Sequence, residues 1–351
     1  MRILVATDAW RPQVNGVVRT YEQLAAELPR KGASLEILGP DAFRTMPCPT
    51  YPQISLALPD RATCDRAIDR VRPDAIHIAT EGPVGLMARA YCRRRRLPFT
   101  TSFHTKFPDY LAAKFAIPSS WTYALLRHFH NSSAGVMVAT RSLRQNLSER
   151  GFRNIMTWTR GVDTTLFRPR AVRRFGEARV FLYAGRVAVE KNIVAFLSLD
   201  LPGRKVVVGD GPQLDMLKGR FPDVTFTGAL TGVALAEAYA SADVFVFPSV
   251  TETFGIVLLE AMACGVPVAA LPVTGPLDVV RQGVSGILSR DLRQAALAAL
   301  ALDPVAVRQE AEHYTWEAAA RLFLDNVERA LFVQRGRPLP TRTYAAPTLA
   351  R

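Results

Sequence analysis

Five short apolar runs in each half of this 351-residue chain, with helical patterns between them, predict an α/β fold. The expected architecture is two doubly wound parallel sheets facing each other across a cleft. Two further observations support it. The segment Gly151–Gly176 holds glycine, proline and six arginines with little periodicity, so it separates the halves as a hinge. The glycine-rich and charged turns follow the carboxyl ends of the apolar runs, where ligands bind in such sheets.

In the first half the strands are expected at Ile3–Thr7, Leu35–Leu38, Ala75–Ile78, Phe99–Phe103 and Gly135–Ala139. In the second they are expected at Val180–Tyr183, Lys205–Val208, Val224–Phe226, Val244–Phe247 and Val268–Leu271. The domains then span residues 1–165 and 166–312. Tyr314–Phe332 reads as a long terminal helix within 313–333, and residues 334–351 as a basic, disordered tail.

Composition narrows the class. Cys48, Cys64, Cys92 and Cys264 form no CxxC pair and no Cys/His spacing, so reduced thiols and no metal are expected. The opening Met1-Arg-Ile-Leu-Val-Ala-Thr-Asp8 offers four apolar residues before an acid, too few for a signal peptide. Gly255–Val273 is almost wholly apolar, but Glu260, Gly265, Pro267 and Pro272 break it into a core helix and strand. The net charge of +13 is uneven: residues 1–165 hold 23 Lys/Arg against 13 Asp/Glu, and 166–351 hold 21 against 18. A basic first domain, including Arg93, Arg94, Arg95 and Arg96, can meet nucleic acid, anionic lipid or only solvent. The nucleic-acid reading rests on charge alone, since no helix-turn-helix, zinc finger or RNP motif is present.

The richest stretch is Ser249–Glu260. Val244–Phe247 closes at Pro248, and a helix is expected from Gly255 to Cys264. Glu252 therefore sits on the strand-to-helix loop and Glu260 on the second helical turn. Free amides near Phe254, Gly255 and Ile256 form an anion site. Glu260 lies roughly 6–8 Å further along at a rise of about 1.5 Å per residue, close to the distance from a diphosphate to a ribose. The spacing alone suits a solvated loop Glu equally well. What favours a ligand is that Glu260 is embedded in apolar sequence, where a carboxylate needs a partner.

Other turns point into the same cleft. Asp8–Gly16 is a glycine turn opening a helix, without GxGxxG, which argues against dinucleotide chemistry. His104 ends the fourth run. Gly185-Arg186 with Lys191 places two cations at a glycine-opened helix start, suited to a diphosphate. Gly209-Asp210-Gly211-Pro212 and Gly275-Pro276-Leu277-Asp278 follow later strands.

As a set, these motifs resemble the retaining glycosyltransferases of family 4, with the two-domain GT-B architecture. The matches include Asn15-Gly16, Phe103-His104-Thr105, Gly161-Val162-Asp163 and Phe167-Arg168-Pro169, and run from Met1 to about Phe332. The resemblance implies that Arg186 and Lys191 hold a donor diphosphate, Glu260 the ribose, and Glu252 with the amides of Phe254, Gly255 and Ile256 the transferred sugar. It places His104 near the reacting carbon, lets Gly16 approach the phosphates, puts Gly209 in a donor loop, and packs the terminal helix back on the first domain. No Asp-x-Asp metal motif is present, and cations with a helix start can absorb the leaving charge without a metal or cofactor.

Within that family, Ser102–Tyr110, Arg160–Asp163 and Thr251–Gly255 are most similar to a branch of sulfolipid synthases, bacterial diacylglycerol glycosyltransferases and GDP-mannose-dependent lipid mannosyltransferases. The donor implied is a UDP-sugar or GDP-mannose, the acceptor a membrane lipid, and the location cytoplasmic at the inner membrane face. Phe107, Tyr110 and Trp121 lie in an aromatic and basic stretch, Phe107–Phe129, which suits a membrane interface or a core equally. Phosphorylases need a lysine-bound pyridoxal phosphate and are far longer. Epimerases fit the Arg186/Lys191 and Glu252/Glu260 arrangement less well.

Overall fold

The computed structural model describes residues 1–13, 15–48, 51–104 and 118–334. Two six-stranded sheets dominate it. The first runs β2 (Ser34–Leu38), β1 (Arg2–Ala6), β5 (Ala75–Ile78), β6 (Phe99–Phe103), β7 (Gly135–Val138) and β8 (Ile155–Thr157). The second runs β11 (Thr225–Gly228), β10 (Arg204–Val208), β9 (Val180–Ala184), β12 (Val244–Phe247), β13 (Val268–Ala270) and β14 (Gly286–Leu288). Every neighbouring pair is parallel. In each sheet the winding reverses once, between β1 and β5 and between β9 and β12, and these switch points are where such sheets bind ligands.

All ten expected strands form, with ends within two residues of expectation. Four strands were not expected. β8 falls inside the segment read as a hinge; its three residues, Ile-Met-Thr, are too few to show a period. β14 is equally short. The antiparallel hairpin β3 (Arg44–Cys48) and β4 (Tyr51–Leu58) lies outside both sheets.

Local chemistry starts the helices. Asn15 caps Gly16–Glu27 by accepting from the amides of Val17 and Val18. Asp60, Thr140, Asp291 and Asp303 do the same for the helices that follow them. Apolar layers then cover both faces of each sheet.

The terminal helix Trp316–Gln334 packs back against the first sheet, as expected. Phe323 and Val327 join Ile3, Val5, Tyr21 and Trp158 in one buried cluster. The Trp158 Nε1–H donates to the Ala319 carbonyl at 3.1 Å. Burying a side chain such as Phe323 contributes about 1.5–3 kcal/mol. Three free thiols, Cys64, Cys92 and Cys264, are buried, and burial pushes each above the ordinary thiol range. Among the described residues, no helix is long and apolar enough to cross a membrane.

Candidate functional site

The second-domain part of the site lies on loops from two neighbouring strands, β9 and β12. From β9 the chain enters Gly185–Asn192, and from β12 it enters Ser249–Gly255. The loops are tied together: Asn192 Nδ2 donates to the Pro248 carbonyl at 3.2 Å, and Thr251 Oγ1 to that of Glu190 at 3.4 Å. The β10 loop closes against the first of them. A Cβ at Gly209 would lie 1.8 Å from the Gly185 carbonyl oxygen, so only glycine fits at that approach.

Lys191 Nζ sits 3.0 Å from Glu252 Oε2, and the Thr253 amide donates to Glu252 Oε1 at 3.0 Å. Burial pushes the Glu252 carboxyl up, but the Lys191 ammonium and the loop amides outweigh it and hold the group below its ordinary value. Arg186 is half-buried on the same loop, its carbonyl accepting from Tyr183 Oη at 2.8 Å. Gly255, with φ +85°, turns the chain into the helix Ile256–Ala263. Glu260 on that helix is 2% exposed. Tyr239 Oη donates to its Oε2 at 3.0 Å, and Arg19 pairs with its Oε1. Burial raises the Glu260 carboxyl above its ordinary value, and Arg19 and Tyr239 only partly offset this.

The first domain closes over these loops. Arg19 and Gly16 share the helix after β1, and the Cβ position of Gly16 faces Ile256 Cδ1 at 3.9 Å. Thr253 Oγ1 donates to the His104 carbonyl at 2.6 Å, next to Glu252. Further along, the Ser142 amide donates to Asp278 Oδ1 at 3.0 Å, while Thr140 Oγ1 donates to the Thr253 carbonyl at 3.3 Å. A polar cavity of about 150 Å³ lies between the halves here, lined in part by Arg141, Thr159, Phe254 and Tyr314.

The His104 ring lies among protein partners. Arg160 Nη2 donates to its Nδ1 at 3.1 Å, and Tyr21 Oη lies 3.0 Å from its Nε2. Enclosure, with the Arg160 cation beside it, drives this imidazole well below its ordinary range. Arg160 is itself buried over the Trp158 ring at 3.9 Å, and burial lowers it to about 10.

The fold thus gathers Gly16, His104, Arg186, Lys191, Gly209, Glu252, Phe254, Gly255, Ile256 and Glu260 around one cleft. Sequence reasoning missed Arg19, Tyr21 and His77 as parts of it. Arg19 carried a usable signal: it stands one helical turn beyond Gly16. Tyr21 and His77, both fully buried, carried no such signal.

The surface residues divide. Phe107 and Tyr110 lie outside the described residues. In the helix Ser119–His130, Tyr123 and Phe129 are core, whereas Trp121 is 75% exposed and Leu125 stands one turn beyond it, also exposed. Of the arginine run, Arg94 pairs with Asp65 at 2.6 Å and Arg95 with Asp69 at 3.1 Å, joining helices Arg61–Val71 and Pro83–Arg95. Arg93 and Arg96 are exposed.

Known proteins are similar to this chain in sequence and in fold. The model of Glycosyltransferase Family 4 matches residues 14–166, and that of Glycosyl transferases group 1 matches residues 178–303. A GDP-mannose-dependent alpha-mannosyltransferase of Mycolicibacterium smegmatis is 31% identical over 316 residues, covering 82% of this chain and 84% of its own. The alpha-monoglucosyldiacylglycerol synthase of Streptococcus pneumoniae is 29% identical over 318 residues, covering 77% and 71%. The structure of Anabaena Alr3699/HepE in complex with UDP-glucose superposes with a TM-score of 0.72 at 17% identity, covering 93% of this chain and 99% of that one. Two facing parallel-sheet domains with ligand loops at their switch points define the GT-B class. Within it, the chain belongs to the family 4 glycosyltransferases: the Family 4 model covers most of the first half and the group 1 model most of the second.

Proposed function

We propose that this glycosyltransferase moves a hexose or hexuronate from a nucleotide diphosphate sugar to a membrane lipid such as diacylglycerol, with retention and without a metal. A UDP-sugar is the favoured donor and GDP-mannose the other. The observation that carries the reading is the buried Glu260 carboxylate on the helix that starts beside the Lys191–Glu252 pair, at the β9/β12 switch point. Ribose hydroxyls would take over Glu260 from Arg19. Arg186 and Lys191 would hold the diphosphate, and Glu252 with the amides at Phe254–Ile256 the sugar.

The bond from the anomeric carbon to phosphate breaks while the acceptor oxygen attacks the same face. Negative charge grows on the departing phosphate, where Lys191 and Arg186 stabilise it, and that phosphate takes the acceptor proton. The lipid acceptor is supported by the diacylglycerol named for the pneumococcal relative, by the charge excess of residues 1–165 and by exposed Trp121. The expected location is the inner face of the cytoplasmic membrane. A soluble or polysaccharide acceptor is the second reading. It is favoured by the pairing of Arg94 and Arg95 with Asp65 and Asp69, which leaves less free charge for a bilayer.

The test is a panel of labelled UDP- and GDP-sugars with membrane lipid extract as acceptor, read by mass spectrometry of the lipids. A labelled glycolipid with one donor supports the reading. Label only in soluble products supports the alternative, and no transfer from any donor overturns both.

A further inference from the structure

We infer that Arg160 and Tyr21 are positioning residues for His104, heading a hydrogen-bond chain that fixes its ring as one neutral tautomer and reserves both ring nitrogens for the protein. The inference rests on the functional reading above only for its effect on turnover.

A guanidinium N–H can only donate, so the 3.1 Å contact from Arg160 makes His104 Nδ1 an acceptor. The ring proton is therefore on Nε2, where it meets Tyr21 Oη at 3.0 Å. The Tyr21 hydroxyl proton is then available to His77 Nε2 at 2.9 Å. His77 Nδ1–H in turn meets Thr100 Oγ1 at 2.7 Å. Ser102 Oγ lies 2.9 Å from the same His77 Nε2. With this assignment each ring nitrogen and the phenol has a partner, in a buried setting where an unpaired polar atom is costly.

Every charged or titratable neighbour among the described residues favours a neutral ring. Arg160, on the loop after β8, is a cation with no carboxylate partner among the described residues. His77 on β5 is held down to about 3 by burial and by Arg160. His130, on the helix Ser119–His130, disfavours a charge on His104 in the same sense, and pairs instead with Glu81 at 3.0 Å. Tyr21 is pushed above its ordinary range by burial and stays a phenol. The Trp158 ring closes the remaining side, 6.0 Å from the imidazole centroid.

The consequence for the reaction is specific. A ring whose two nitrogens are both engaged is not the base for an incoming hydroxyl, so that proton is left to the phosphate oxygen of the donor. What the chain delivers to the cleft is a fixed main chain at His104, whose carbonyl meets Thr253 beside Glu252. Arg160 and Tyr21 thus act through His104 without touching the reacting atoms.

The test is nitrogen-15 NMR of the histidine rings in the full chain, with kinetics alongside. The wild-type His104 signal is expected as the Nε2–H tautomer, unchanged from pH 5.5 to 8. Arg160→Met and Tyr21→Phe are expected to lose the single tautomer and to lower kcat at least tenfold. Affinity for free UDP or GDP is expected to stay within threefold in both. Arg160→Gln keeps an N–H donor and is expected to restore the tautomer in part. If Arg160→Met does not fold, the wild-type spectrum and Tyr21→Phe decide. An Nδ1–H tautomer, a cationic ring below pH 7, or unchanged tautomer and kcat in both variants overturns the inference. The NMR measurement needs no substrate, so failure to see transfer from any donor counts against the functional reading while this result still stands or falls separately.

Discussion

Arg19 and Glu260 are 241 positions apart in the chain, yet their side chains form an ion pair across the cleft. Glu260 is the carboxylate that the family resemblance assigns to the ribose. The same group therefore ties the two domains together. On the proposed function, ribose hydroxyls would replace the guanidinium, and binding would be coupled to the contact between domains.

Glu260→Ala and Lys191→Ala should each reduce kcat/KM by about 30- to several-thousand-fold, since losing a buried charge contact costs about 2–5 kcal/mol. Thermal unfolding should stay cooperative in both, at a lower midpoint for Glu260→Ala, which leaves the buried Tyr239 hydroxyl without its acceptor. Initial rates measured beside calorimetry check this, and near-normal turnover in either variant would remove the donor-site assignment.

Glu260→Gln should separate function from stability. The folded-state carboxyl is raised above its ordinary value, so its contribution to stability is greatest at low pH and is lost as pH rises through the folded value. The Gln variant should therefore be as stable as wild type or more so at pH 8, with that relative advantage shrinking towards pH 4. Melting temperatures across that range test it, and a variant markedly less stable at pH 8 contradicts it.

Acid should destabilise the first domain through its histidines. His77 is held down to about 3, so below about pH 6.5 the unfolded chain takes up a proton that the folded one refuses. Each pH unit below that point costs on the order of 1 kcal/mol for such a group, until the folded value is reached. Urea midpoints for wild type and His77→Gln between pH 7 and 4 should diverge, with wild type falling faster.

EDTA should leave turnover unchanged if, as proposed, Arg186, Lys191 and the helix start at Ile256 take the leaving charge. Loss of activity on chelation, restored by magnesium or manganese, contradicts that mechanism.

Membrane binding should depend on Trp121 more than on the arginine run. Trp121→Ser should reduce sedimentation with anionic liposomes and leave nucleotide affinity intact. Arg94→Ser and Arg95→Ser each break a pair with a neighbouring helix, so they should alter stability as well as binding. Binding by wild type should weaken as salt rises, since screening acts over about 8 Å at physiological ionic strength. Equal binding to neutral and anionic vesicles, or none to either, points to a soluble acceptor.

Much of the fold could be read from the sequence because buried parallel strands are nearly pure apolar runs. Val244–Phe247 and Ala75–Ile78 match their observed limits to the residue. β8 escaped because Ile155-Met156-Thr157 is too short to carry a period. The loops that meet at the Lys191–Glu252 pair were legible because glycine and charge stand out beside apolar strands. The His104 chain was not, because His77 sits between isoleucines on one strand and Thr100 and Ser102 in a polar run on another, and only the pairing of β5 with β6 brings them together. Trp121 and Tyr123 read alike in sequence; one helix face buries the second and leaves the first in solvent.

The return of Trp316–Gln334 to the first sheet has a consequence for anyone recombining this protein. The first folding unit is discontinuous in the gene: residues 1–165 lack the ring of Phe323 that packs on Trp158 and the carbonyl that receives its indole N–H. A chimera joined at the hinge pairs one parent's sheet with the other parent's helix, and its fate depends on whether those two surfaces still match. The second sheet is therefore best transplanted as a cassette of the middle residues, about 170–312, with both ends of the chain taken from a single parent.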